Sequence, residues 1–479
     1  MSKTTTQPPP GNASAATALP DPYALRAEDA REAPRSFTGR LRHLGPGFVL
    51  SAAVVGSGEL IVTTSLGAKA GFALLWLVII STGVKVWVQM ELARWTILNG
   101  RTALDGFRDV GPRIGRVSWI NWLWIGMDFA KMFQRGGIIG GTAAACSILW
   151  PITGEALSLP SLTAWTVLVT ALSVTLLSTG KYSMVERLCV ASVVVFTLAT
   201  VSLALGLPLT EFGYGGDELA TGLSFLIPAG TVGVALAMFG ITGVGADEMT
   251  TYTYWCLEKG YARWTGPDDG TEERARRAEG WLKVMRLDVA AGWLVCTLCT
   301  LSFYVIGAAV LHPQGLVPEG NSMITTLSRS YTDTMGPWAE YLFLVGAIAV
   351  LLSTLFGSTA SVPRLWTNTL GLLGVLDWHD VRVRRRTIRV LTCCLPPVWA
   401  ASFLFVQSPV LMVQIGGVGG GIFLLAVVTA VWRLRATGVD RRFRGSVRLT
   451  VALAVSSAAI AFLGVYGVLD TLGIGITGD

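Results

Sequence analysis

The sequence predicts an all-α polytopic membrane protein: about eleven transmembrane helices, built as a five-plus-five inverted repeat with one helix added at the end. Three observations carry that reading. The chain has 479 residues, 52% of them hydrophobic and only 14% charged, with a mean hydropathy of +0.56, which is too apolar for a soluble chain of this length. Its basic residues are concentrated in alternate connections between apolar runs. Two of those runs are interrupted in the same manner, by GSGELIVTT at 56–64 and GVGADEMTT at 243–251, each a Gly-x-Gly followed by acid and a Thr pair.

Taken in order, residues 1–40 are polar and rich in Pro, Ala and Thr, and lack the apolar core of a signal peptide; a disordered cytoplasmic tail is expected there. About twenty apolar residues cross a bilayer core, and on that ruler the spans fall at roughly 45–68, 72–98, 117–149, 160–179, 184–208, 222–256, 281–311, 338–360, 388–406, 409–433 and 447–469. With Arg26, Arg31, Arg35, Arg40 and Arg42 placed inside, connections after even-numbered spans should be basic. They are, from Arg101, Arg108, Arg113 and Arg116 to Arg433, Arg435, Arg441, Arg442 and Arg444, whereas only Lys69 and Arg329 fall outside. The net charge of +6 thus reflects topology in a lipid bilayer and not a nucleic-acid surface. The expected location is the cell membrane, with the N-terminus cytoplasmic and the C-terminus external.

Spans 1–5 (41–208) then form the first repeat and spans 6–10 (222–433) the second, with 447–479 holding the eleventh span and a short external tail. The two nonapeptides lie in spans 1 and 6, which run in opposite directions, as inverted repeats require. Glycine in a helix interior costs about 1 kcal/mol relative to alanine, so Gly56, Gly58, Gly243 and Gly245 predict unwound helix in both halves. Such backbone is tolerated in a membrane only where it is buried in protein or lines a cavity. Its freed carbonyls suit a cation.

Glu59, Asp247 and Glu248 follow these breaks, at a depth where an unpaired carboxylate costs at least about 2.5–3.5 kcal/mol. A bound cation, a proton or a basic neighbour such as Lys131 or Arg135 has to offset that. Thr63, Thr64, Thr250 and Thr251 either add hydroxyl ligands or bond their own backbone. In span 3, Asp128, Lys131 and Arg135 share a helical face, as a structural ion pair or as a gate and charge partner for the centre. Lys85 and Gln89 are weaker signals, because lysine can snorkel. Gln414, beside a glycine run in span 10, is a neutral ligand candidate. The seven cysteines read as buried thiols, and Cys296-x-x-Cys299 has zinc-like spacing without a second ligand pair. His43, His312 and His379 fall at span ends or in loops. With no His cluster, nucleophile–base pair or phosphate loop, an enzyme is not expected.

The stretch GPGFVLSAAVVGSGELIVTTSLGAKAGFALLW resembles the opening of the NRAMP family of proton-coupled divalent-metal transporters, with support from GKYSMVERL, RRRTIRVL and Gln414. The resemblance implies a secondary transporter working by alternating access, with no cofactor, a divalent cation as substrate and room for a coupling ion. Taken with the helix breaks and the charged face of span 3, it puts the expected metal site on Ala53, Gly56, Glu59, Gly243, Val244, Asp247, Glu248 and Gln414, and the expected coupling or gating group on Asp128, Lys131 and Arg135. The departures are specific. The family's metal-binding Asp falls on Gly56 and its Asn on Glu59; its Met-Pro-His falls on Val244, Gly245 and Ala246; its acidic pair in the third span falls on Met132 and Arg135. Exchanging a thioether for carboxylates favours harder ions such as Mg²⁺ or Mn²⁺, and a fixed arginine argues against tight proton coupling. The alternative is an amino acid or other small organic ion on the same fold, since Gly-Ser-Gly also resembles the broken first helix of amino-acid transporters.

Overall fold

The computed structural model describes residues 21–178 and 182–471. Helices occupy all eleven expected positions. Span 1 is built from Pro46–Val54, Val55–Thr63 and Thr64–Ala70; spans 2 to 5 are Leu75–Asn99, Trp119–Leu149, Leu159–Ser178 and Tyr182–Gly206. Span 6 is Val232–Ile241 followed by Ala246–Lys259, and spans 7 to 11 are Glu272–Ile306, Ala339–Leu373, Val381–Val406, Pro409–Gly438 and Val447–Thr471. Eight described helical stretches are long and apolar enough to cross a membrane on length and composition alone. Span 3 falls short of that measure because its charged and small residues lower its hydropathy.

Spans 7 and 8 begin or end well outside the expected apolar limits. Polar residues continue each helix beyond the membrane core. Side chains cap the starts of spans 7 and 9: the Thr271 hydroxyl accepts from the Arg274 amide at 3.2 Å, and Asp380 accepts from the amides of Arg382 and Val383.

The two interruptions differ from each other. Span 6 breaks: Thr242 is extended, Gly243 has φ +69°, and the helix restarts at Ala246. That left-handed φ is where glycine is needed. Span 1 does not unwind, which corrects the expectation of a second extended break at Gly56 and Gly58. Residues Val55–Thr63 instead widen into a π-helix, and the hydroxyl of Thr63 donates to the carbonyl five residues back, Gly58. The two glycines serve packing: a side chain on Gly56 would run into Thr354 and the Val350 carbonyl of span 8, and one on Gly58 into Ile241.

Close backbone approach is the organising device elsewhere too. Span 3 packs most extensively on span 10, and the first half of span 6 lies against span 10 with Gly240 facing the Gly417 carbonyl. Without a hydrophobic drive between helices in lipid, such small-residue contact is what dispersion and hydrogen bonding can use. Span 7 runs as a rail along span 1. Its buried Asp288 accepts from the free amides of Gly45 and Gly47 at 2.8 and 2.6 Å, satisfying the orphan donors of the span 1 N-terminus. Further along, Ser51 donates to the Gly292 carbonyl at 3.2 Å, Gly67 meets Gly307 backbone, and Tyr304 donates to the Gly71 carbonyl at 2.6 Å.

The N-terminal expectation needs correction for its described half. Residues 1–20 lie outside the described residues, but 21–41 are packed across the ends of spans 2, 6, 7, 8 and 9. Tyr23 donates to Glu258 at 2.7 Å, Asp21 pairs with Arg384, Leu25 covers Gly100, and Arg31 exchanges backbone hydrogen bonds with Trp264 and the Trp281 indole at 2.8 and 2.9 Å. Proline and alanine make this strap irregular without making it free.

Candidate functional site

The break in span 6 leaves two helix ends facing each other at membrane depth: carbonyls at the end of Val232–Ile241 and amides at the start of Ala246–Lys259. The partial charges there are negative and positive respectively, and each end has collected side chains of opposite sign.

At the restarting end, Asp247 and Glu248 occupy the first turn, where the helix dipole favours carboxylates by roughly 0.3–1 kcal/mol. Span 3 supplies their partners. Lys131 Nζ lies 3.1 Å from Glu248 Oε1; Arg135 Nη2 lies 3.1 Å from Asp247 Oδ2 and 2.7 Å from Asp128 Oδ1. Asp128 also accepts from the Trp366 indole at 2.6 Å, and the Arg135 guanidinium lies over the Trp399 ring at 5.3 Å. Asp128, Lys131 and Arg135 therefore form one buried network with the span 6 acids, which joins the two pairings open from the sequence, within span 3 and between span 3 and the centre. The i, i+7 reach from Asp128 to Arg135 is closed by the long guanidinium side chain.

Between them lies a cavity of about 40 Å³, lined by Lys131, Gln134, Arg135, Asp247, Glu248 and Thr251, with Trp255 and span 8 hydroxyls completing it. It has room for roughly three waters, or an ion with part of its shell. Asp247 Oδ1 is buried without a hydrogen-bond partner among the described residues, an exposed demand for positive charge or a donor. Still, among the described residues no three His, Cys, Asp or Glu side chains are gathered to hold an ion together.

Glu59 is elsewhere. It is fully buried, and its Oε1 accepts from the Gly243 amide at 3.0 Å and the Thr300 hydroxyl at 3.1 Å; its Oε2 has no partner among the described residues. Glu59 thus ties the π-helix to the break and does not line the cavity. Gly243 and Gly245 shape the break, Val244 is buried beside it away from the cavity, and the side chain of Ala53 lies outside the described residues. Gln414 is half-buried and away from the cavity; the amide that span 3 presents there is Gln134. Of the threonines, Thr63, Thr64 and Thr250 bond their own backbone, and Thr251 faces the cavity.

Several site residues escaped the sequence reading. Thr354, Ser358 and Ser361 recur at helical spacing in span 8 and line the cavity, a signal present in LLSTLFGSTASV. Glu258, Arg364 and Tyr23 had none, because they come from three distant segments. Arg364 Nε lies 2.7 Å from Glu258 and its guanidinium covers Trp255 at 5.2 Å. The three line a larger vestibule of about 460 Å³ beside Pro22 of the strap, while Trp255, which Arg364 covers, lines the central cavity.

A multi-pass helical bundle with a broken sixth span and a closed, charged centre is the construction of a membrane transporter, not of an enzyme. Comparison with known proteins makes the assignment specific. The family profile described as natural resistance-associated macrophage protein-like matches residues 47–470, and the chain belongs to that family. The divalent metal cation transporter MntH of Deinococcus radiodurans is 25% identical over 360 residues, covering 75% of this chain and 74% of its own. MntH of Bacillus subtilis is 22% identical, covering 94% and 97%. Among solved structures, a manganese transporter mutant of Eremococcus coleocola superimposes with a TM-score of 0.65 over 95% of this chain and 93% of its own, at 16% identity, a likeness of fold.

Proposed function

We propose that this chain moves a divalent metal cation across the cell membrane by alternating access, with Asp247 and Glu248 as its charged ligands and Lys131 and Arg135 as tethered counter-ions that the metal displaces. One observation carries the reading: a small cavity at the helix break in which the carboxylates Asp247 and Glu248, the Gln134 amide and the hydroxyls of Thr251, Thr354 and Ser358 stand beside two cations among apolar neighbours such as Leu50, Ile241 and Trp255. That donor set suits harder ions such as Mg²⁺ or Mn²⁺. Its volume is far below the 300–1,000 Å³ of ordinary small-molecule pockets, which speaks against the amino-acid alternative.

Charge gives the sign of the substrate. Around the cavity three carboxylates, Asp128, Asp247 and Glu248, stand against two cations, Lys131 and Arg135, an excess of one negative charge that favours a cation over an anion. Burying each ion costs several kcal/mol that pairing only partly offsets. An arriving metal that takes over Asp247 and Glu248 leaves Arg135 on Asp128 and frees Lys131, which stays tethered to span 3, so the net charge around the cavity rises from one negative to one positive on loading. An arginine that does not titrate, standing in span 3 beside these acids, argues against tight proton coupling. The arginine asymmetry supports a reading with the N-terminus inside and the C-terminus outside.

Proteoliposome uptake of Mg²⁺ and Mn²⁺ is the test. Asp247→Asn should lower the initial rate by about tenfold or more, the scale of one 1.4 kcal/mol interaction, and Glu59→Gln should lower it through the break it holds. Rates unchanged in both variants would show that the proposed site is wrong.

A further inference from the structure

Span 2 carries a lysine that neither snorkels nor forms an ion pair. Lys85 is fully buried, and among the described residues no carboxylate lies within ion-pair distance of it. Its ammonium donates to the Phe239 carbonyl at 2.8 Å and to the Thr242 carbonyl, and lies over the Phe239 ring at 5.2 Å. Those are the carbonyls that the break strips of helical partners, at the end of the half-helix where the dipole is negative. Backbone carbonyls at the end of a broken half-helix are the donor set that holds a coupling cation in other broken-helix carriers. The counter-charge is one peptide away. The Thr242 carbonyl that accepts from Lys85 and the Gly243 amide that donates to Glu59 Oε1 belong to the same peptide group, so this peptide is held by a cation at one end and an anion at the other.

We propose that Lys85 is a tethered cation permanently filling the carbonyl cradle of span 6, with Glu59 as its counter-charge, so that the carrier works without a soluble monovalent cation at that position. Lys85 is thus a positioning residue for the break, acting through the Thr242–Gly243 peptide. The inference deepens the coupling side of the proposed transport, but its first readout needs no flux. Removing the ammonium leaves two carbonyls, an aromatic face and a buried carboxylate, which together suit Na⁺, K⁺ or NH₄⁺.

The experiment is thermal unfolding of the purified full-length protein in detergent, titrated with NaCl, KCl or NH₄Cl at constant ionic strength against N-methyl-D-glucamine chloride. The wild-type midpoint should not depend on which cation is present. Lys85→Ala should unfold at lower temperature and regain most of the loss, saturably, with one of the small cations. Lys85→Ala combined with Glu59→Gln should be more stable than Lys85→Ala and insensitive to the cation. A Lys85→Ala midpoint unresponsive to every small cation overturns the proposal. If Lys85→Ala cannot be purified, recovery of folded protein in the double variant supports it and failure of both contradicts it. Absence of divalent-metal flux in the wild type would defeat the transport reading while leaving this outcome readable.

Discussion

Lys131 and Glu248 show most plainly how residues at this centre trade partners. The lysine is almost wholly buried while Glu248 keeps a fifth of its side chain exposed to the cavity, so the carboxylate is the member of the pair that an incoming ion can reach. Lys131→Gln should lower the thermal midpoint in the absence of metal, since breaking a buried pair typically costs about 3–5 kcal/mol. It should also enlarge the stabilisation by Mn²⁺, measured in the same scan, because the competing ammonium is gone. A smaller Mn²⁺ effect than wild type would contradict the displacement scheme. At this scale the sequence was a partial guide. The acids and bases were all visible as charged residues at membrane depth, and their mutual pairing was anticipated as one way to offset burial. That Glu59 belongs to a different microsite from Asp247 and Glu248 was not visible, because it depends on the course of the backbone between Thr242 and Ala246.

At the scale of elements, the same Gly-x-Gly pattern produced two conformations. In span 6 the second glycine starts a new helix and the first takes a left-handed φ; in span 1 both glycines stay helical and yield space to span 8 and Ile241. A glycine pair permits unwinding and permits close packing, and only the neighbouring helices decide which is used. Span positions were legible because a bilayer core sets a length ruler and charge is excluded from it; the π-helix was not, because it follows from tertiary contacts. Two substitutions separate these roles. Gly243→Ala should cost about 1–3 kcal/mol through backbone strain and impair transport. Gly240→Val should prise the first half of span 6 off the Gly417 backbone, at about 1–3 kcal/mol for an overpacked contact or more. Both are read as shifts in thermal midpoint, and a Gly240→Val midpoint equal to wild type would show that this backbone contact is not tight.

Across the whole molecule, the strap of residues 21–41 joins spans that belong to both repeats, through Leu25 over Gly100 at the end of span 2 and through Tyr23 to Glu258 of span 6 and Asp21 to Arg384 of span 9. Desolvation, then the neighbouring Glu258, pushes the Tyr23 hydroxyl well above the ordinary phenol value. A raised pKa means the protonated donor persists through neutral pH, and the contact is lost only in strong alkali. An exit path from the centre through the cavity beneath the strap would have to part the Tyr23–Glu258–Arg364 group that lines it. Tyr23→Phe should therefore raise the initial rate of metal release through that face in proteoliposomes of known orientation, with little change in thermal midpoint; a lower rate would assign the hydroxyl a different role. The strap was illegible because its composition, rich in proline and charge, is that of a tail. It is ordered by what it covers.

The central claim is that a divalent cation sits between Asp247 and Glu248 in place of the tethered cations. Anomalous diffraction from crystals grown with Mn²⁺ tests it most directly. The result expected is a single strong peak in the central cavity, within coordination distance of both carboxylates, with Lys131 turned away from Glu248. A peak at Glu59 and the Thr242–Gly243 peptide instead, or an intact Lys131–Glu248 pair beside an empty cavity at saturating Mn²⁺, would contradict it.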